Sequence, residues 1–156
     1  MPDGGFQAAP VPPRGFRAYA TKRHDGDSFW VMADTGFEGR AEPELRLQDT
    51  HAPELLEMRL PRLLQPGGRE TTAFVNDWLT GGAATYPGRW YLSIAVTMTT
   101  AFEPAERRSF VRYLARVWSA VDWPQPWATP PPADTRSLNY AVTTFLSGHP
   151  EWPSGE

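Results

Sequence analysis

The sequence contains no cysteine, a single lysine and no long apolar run. The first absence excludes zinc ribbons, thiol catalysis and disulfide scaffolds, although it does not fix a compartment. No window approaches about 18 uninterrupted apolar residues, so a membrane helix is excluded and no membrane partner is expected. The opening MPDGGFQAAPVPPRG has neither a basic start nor an apolar core. No signal peptide is expected from it, and the expected location is cytoplasmic or virion-associated. Positive charge is also short, with 15 basic residues against 18 acidic ones and a formal charge of −3. Any basic face for phosphate contacts must therefore be local. Because Lys22 is the one lysine, the cations are nearly all guanidinium groups, suited to bidentate pairing with phosphate or carboxylate. Coding bias toward arginine accounts for the same count.

What is abundant is proline, glycine and tryptophan, at 17, 13 and 7 residues. A chain of 156 residues, 40% of them hydrophobic, suits one domain that needs neither a disulfide nor a structural metal to fold. Residues 1–15 hold Pro2, Pro10, Pro12 and Pro13 with Gly4, Gly5 and Gly15, and read as an extended arm. The domain is placed at 16–148. Within it, five prolines in the ten residues 123–132 demand an irregular or polyproline connection, and 149–156 is a surface tail.

Periodicity orders the rest. Short β-prone runs at 17–23 and 28–33 flank His24-Asp25-Gly26-Asp27, a turn-forming cluster, and predict a hairpin. Asp34-Thr35-Gly36 predicts the next turn, and alternation of Leu45 and Leu47 predicts a third strand over 42–48. A helical turn at 54–58 is followed by a helix over 69–79, with Phe74, Val75, Trp78 and Leu79 on one stripe. Strict alternation predicts strands over 89–98 and 109–118. Leu138, Ala141, Val142, Phe145 and Leu146 mark the face of a last amphipathic helix. The result is an α+β fold, mainly β: a five-stranded OB-type barrel with two helices, ordered β-β-β-α-β-β-α.

Three segments carry chemistry. Asp25 and Asp27 flank a glycine and could offer hard oxygens to a divalent cation, although Asp-Gly is also an ordinary turn. At the end of the third strand, RLQDTHAPE places Arg46, Asp49, His51 and Glu54 together. There a glutamate can act as general base toward water and an arginine can hold a phosphate oxygen, while a surface Arg–Glu pair is the plainer account. On the strand at 109–118, Arg112 shares a face with Arg116 and could meet Arg46 across the barrel.

Together these segments resemble the staphylococcal nuclease (thermonuclease) family. The match rests on Asp25-Gly26-Asp27-Ser28, Arg46-Leu47 with Ala52-Pro53-Glu54, Phe110-Val111-Arg112-Tyr113-Leu114-Ala115, and Leu138-Asn139-Tyr140-Ala141. The resemblance implies metal-dependent hydrolysis of DNA or RNA phosphodiesters, usually with calcium. It would make Arg46, Glu54 and Arg112 the catalytic residues, with Asp27 and the Ala52 backbone carbonyl at the metal and Arg116 a nucleic-acid contact. His51 falls where the family has its second metal carboxylate, which weakens the site for calcium and suits manganese, zinc or nickel better. In a second register, with His51-Ala52 read as an insertion, Asp49 supplies that carboxylate. The ungapped register keeps the Arg46–Glu54 spacing and is preferred.

A second reading is a degenerate nuclease fold that binds no metal and serves as a structural or protein-interaction module, for example in a bacteriophage virion. A bare oligonucleotide-binding barrel is a third. Trp30, Trp78, Trp90 and Trp118 sit at core-compatible positions, whereas Trp123, Trp127 and Trp152 lie in proline-flanked segments. Trp123 and Trp127 are the candidate contacts for a protein partner reached through the proline-rich arms. Stapling of the proline connection onto the barrel competes with that account.

Overall fold

The computed structural model describes residues 14–50, 66–82, 86–100 and 112–152, with backbone alone at 14, 23–25, 82, 98–100 and 112. The order is β1 (Arg14–Asp25), β2 (Ser28–Gly36), β3 (Gly39–Ala41), β4 (Glu44–Leu47), α1 (Gly68–Asp77), β5 (Leu92–Thr100), β6 (Arg112–Ser119) and α2 (Leu138–Ser147). A π-helical turn over Trp78–Gly82 extends α1. The predicted helical turn at 54–58 lies outside the described residues, as do the arm through residue 13 and the last four residues of the tail.

The sheet order β1-β5-β6-β4-β2, with β2 returning to β1, closes a five-stranded mixed barrel. Closure depends on the length of β1. Its first half pairs with β5 through Arg14–Ala18, and its second half pairs with β2 through Ala18–Asp25. Register shifts after Ala20 and Arg23 supply the bend that one strand needs to serve two neighbours. The strand expected over 42–48 is β4 at 44–47, and a further short strand, β3 at 39–41, was not expected; both pair with β2 and are separated by Glu42-Pro43. Proline cannot donate to a ladder, but its carbonyl can accept, and Val31 N–H donates to Pro43 O at 3.1 Å across the gap. The β2–β3 turn falls at Phe37-Glu38, both left-handed, one residue beyond the expected Asp34-Thr35-Gly36.

Alternation fills the barrel. Ala18, Phe29, Val31, Ala33, Leu45, Leu47, Leu92, Ile94, Ala115 and Val117 face inward and meet Val75, Leu79, Leu138 and Val142 from the helical segments. Phe74 and Phe145 stack at 4.4 Å to bind α1 to α2. The tail contributes too: Trp152 stacks on His149 at 3.9 Å and lies against Gly67, whose positive φ opens α1. A β-carbon at Gly67 would enter that indole.

The proline-rich connection is laid against the outer wall. Trp118, on the outward face of β6, and Trp123 meet edge to face at 5.1 Å and form a second buried cluster with Ala95. Both indole N–H groups find oxygens within the same segment, Trp118 at Ala133 O and Trp123 at Thr129. Ser93 Oγ donates to Trp123 O at 2.6 Å. Gly15 lets β1 run beneath the Pro126 carbonyl, where any β-carbon would collide. Among the described residues no helix is long and apolar enough to cross a membrane.

One side chain joins α2 to the barrel. The buried amide of Asn139 accepts from Val117 N–H at 3.0 Å and donates to Gln48 O at 3.0 Å and Ala115 O at 2.9 Å. Asn139→Ala would remove the acceptor of the Val117 amide and one of two donors to Gln48 O, which also accepts from Thr50 Oγ1 at 3.3 Å, and a loss of about 1–3 kcal/mol is expected from urea unfolding. A loss below about 0.5 kcal/mol would mean that water takes over the amide's role. Gly15→Ala should cost about 1–3 kcal/mol and alter near-ultraviolet dichroism as the proline segment is displaced. An unchanged spectrum and midpoint would show that the segment can shift without loss.

Candidate functional site

The first two site residues meet because of one register. Ser28 on β2 pairs with Arg46 on β4, so the arginine emerges beside the Gly26–Asp27 turn. Asp27 is 2% exposed; its backbone carbonyl accepts from Leu47 N–H at 2.7 Å, and the Ser28 hydroxyl stands 3.4 Å from its carboxylate. Arg46 Nη2 stands 3.7 Å from Asp27 Oδ2, and both side chains are mostly withdrawn from water, at 19% and 3% exposure. At that distance the pair is Coulombic rather than hydrogen-bonded. Glu44, two residues earlier on β4, is also buried.

Arg112 does not lie across the barrel from Arg46, as the sequence suggested. β4 and β6 are adjacent and parallel, with Glu44 opposite Arg112 and Arg46 opposite Leu114. The two arginine backbones are therefore diagonal neighbours on one seam. His51, Ala52 and Glu54 lie outside the described residues, as do the side chains of Asp25 and Arg112.

Asp49 and Arg116 are brought to each other. Asp49 takes a left-handed φ of 62° as the chain leaves β4, and its carboxylate pairs with Arg116 at 2.5 Å. The other arm of Arg116 reaches Asp134 at 2.8 Å. The candidate nucleic-acid contact thus bridges two carboxylates, and the carboxylate of the second register has a guanidinium partner.

No protein-family model and no curated protein matches this chain. Among the described residues no group of three or more histidine or acidic side chains is placed to hold a metal ion. A groove of about 660 Å³ lies between α1 and α2, where Phe74, Trp78 and Phe145 face the Asp122–Arg136 pair, and it includes none of the sequence-predicted site residues.

The tryptophan expectations need correction. Trp123 is 3% exposed and is not available to a partner, because the proline segment folds its ring inward against Ala95 and Trp118. Trp127 is 61% exposed. Trp78, Trp30 and Trp90 are all half-buried: Trp78 packs on the edge of the core, and Trp30 alternates out of phase with Phe29 and Val31.

Sequence reasoning missed a polar row on this outer wall. Arg17 donates from Nε and Nη2 to Asp34 Oδ2 at 3.2 and 2.6 Å, and Asp34 pairs in register with Arg40. The only signal available was polar residues alternating with the barrel-facing ones on two strands, which does not reveal cross-strand pairing. The Arg17 hydrogen bond, then the Gly36 amide, then the Arg17 and Arg40 charges hold the Asp34 carboxyl below its usual range, against a partial offset from burial. A depressed folded pKa means stability that is present above the unfolded carboxylate value and lost as pH falls through the folded one. Asp34→Asn should remove that acid-side loss, below about pH 4, and cost about 0.5 kcal/mol at neutral pH, the modest size reflecting exposure of Arg17. Identical acid-unfolding profiles for the two proteins would contradict this.

Proposed function

We propose that the chain is a divergent phosphodiesterase of the staphylococcal-nuclease type, acting on DNA or RNA. The observation that carries the reading is Asp27 and Arg46 set side by side, both largely buried, at one seam of a closed five-stranded barrel. Hydrolysis of a phosphodiester needs positive donors where oxygen charge grows and a base for the attacking water. In this reading Arg46 and Arg112 hold phosphate oxygens, and Glu54 orients and deprotonates water. The hard carboxylate of Asp27 fits a divalent cation, with the Ala52 carbonyl and His51 as further ligands. Imidazole at that point favours manganese or zinc over calcium. When bound, the cation supplies positive charge to a phosphoryl oxygen.

A degenerate structural module is the second reading, and the Asp49–Arg116 pair favours it. With Asp49 paired to a guanidinium, the second-register carboxylate has a competitor for its charge. That leaves the weaker histidine site.

The test is cleavage of single-stranded DNA and RNA with calcium, manganese or zinc, against an EDTA control. Glu54→Gln should lower the rate by about 10²–10⁴-fold with an unchanged urea midpoint. His51→Asp should tighten calcium binding by about tenfold or more and raise calcium-dependent cleavage. Cleavage indifferent to Glu54→Gln removes the glutamate from the mechanism. Folded protein that cleaves with none of these ions leaves the degenerate module as the working description.

A further inference from the structure

The outer wall of β1, β2 and β3 carries a second organised surface, away from the helical groove. The Arg17 guanidinium lies 5.6 Å from the Trp90 ring and 5.4 Å from the Trp127 ring, between the start of β5 and the proline segment. Arg40 stands 5.9 Å from the same Trp90 ring. Trp90 in turn meets Tyr19 at 5.3 Å, and Arg89 lies 5.9 Å from Tyr19. Three rings and three guanidinium groups interleave here with one carboxylate, Asp34. These groups alone have an excess of positive charge within a chain of net charge −3.

Fastening the proline segment accounts for only part of this arrangement. Arg17 between two indoles would suffice for that purpose, since the segment is already held by Trp123 and Gly15. Arg40 and Arg89 are exposed, as is most of Trp127. Exposed cation–ring contacts contribute only about 0.5–1 kcal/mol each, so stability is a weak reason to assemble several of them at the surface. Flat aromatic and guanidinium planes among cations are what unstacked bases and their phosphates recognise. A duplex hides its base faces and cannot use the rings in this way.

The same strand leads to the candidate site. On β2, Trp30, Met32 and Asp34 are the partly exposed residues between the buried Phe29, Val31 and Ala33, while Ser28, next along that face, is buried beside Asp27; Lys22 stands 5.3 Å from the Trp30 ring. Ser28 is the register partner of Arg46, and Asp34 is that of Arg40. Six residues of strand, about 20 Å, therefore join the two places. We propose that this face is a stacking subsite for single-stranded DNA or RNA, leading the strand toward Asp27 and Arg46. The subsite rests on the nucleic-acid reading above and adds to it a preference for unpaired strands.

The test uses the full chain in EDTA, where metal-dependent cleavage is suppressed, with fluorescein-labelled oligothymidylate and oligouridylate followed by anisotropy. Binding is expected to weaken with salt. Trp127→Ala should weaken it at least fivefold and Trp127→Phe much less, because a smaller ring still stacks. Arg40→Gln with Arg89→Gln should reduce the slope of log K against log salt by about 1.4, the value for two lost contacts to a single strand. A duplex of the same length should bind at least tenfold more weakly. Urea midpoints establish that each variant is folded. No oligonucleotide binding by folded protein overturns the subsite, and so does binding that Trp127→Ala and the double variant leave unchanged. Cleavage by the unmodified chain, with and without Glu54→Gln, is read separately. Binding that maps to this face without Glu54-dependent cleavage retains the subsite and rejects the nuclease. Glu54-dependent cleavage with no effect of the face variants does the reverse.

Discussion

The barrel depends on one buried amide. β4 and β6 form its only parallel pair among the described strands, and Gln48, just past β4, still donates to Ala115 O at 2.9 Å. Backbone groups at the buried end of such a seam need partners, and each unmet one costs about 1–3 kcal/mol. Asn139 meets the Val117 amide and the Gln48 and Ala115 carbonyls at once. An aspartate would lose both donors and a leucine all three bonds. The same contacts fix the start of α2 against the barrel, with Ser137 capping the helix through Tyr140 N–H.

That constraint reaches the candidate site through the backbone. With Gln48 held, Asp49 turns in the left-handed region and meets Arg116. On the other edge of β4, pairing with β2 brings Arg46 to Asp27. Buried ion pairs of imperfect geometry contribute little net stability, because desolvation offsets much of the attraction. A well-packed apolar pair would hold the same seam at least as well. The ladders of β4 with β2 and β6 are therefore the main tie at this seam.

The sequence revealed the elements more readily than their meetings. Alternation in Leu92, Ile94 and Val96, and the helical stripe through Leu138, Val142 and Leu146, are properties of single segments, and those segments fold as expected. β1 begins at Arg14, two residues ahead of the expected domain start, because Gly15 can pass under Pro126. The gap between β3 and β4 follows from Pro43, yet its rescue by Val31 is a contact between strands. Trp123 shows the same limit: its proline neighbours left exposure and stapling onto the barrel both open, and the contact with Ala95, distant in sequence, together with Trp118 five residues earlier, decides for stapling. The adjacency of Arg46 and Arg112 required knowing that β4 pairs with β6. Of the catalytic set implied by resemblance, Asp27 and Arg46 are placed together, whereas His51, Ala52 and Glu54 fall outside the described residues.

The near absence of lysine takes on physical content in this setting. Coding bias alone would leave arginines whose geometry a lysine could reproduce. Arg17 instead directs two nitrogens at one carboxylate while its central carbon stands near two indole rings, 5.6 Å from Trp90 and 5.4 Å from Trp127. Arg116 holds two different carboxylates with its two arms, joining the end of β4 to the turn before α2. An ammonium group is a compact point charge with no plane to stack and no fork to divide between partners. At these two positions arginine is structurally specified, so the cation type follows from the cross-strand and ring contacts of the fold.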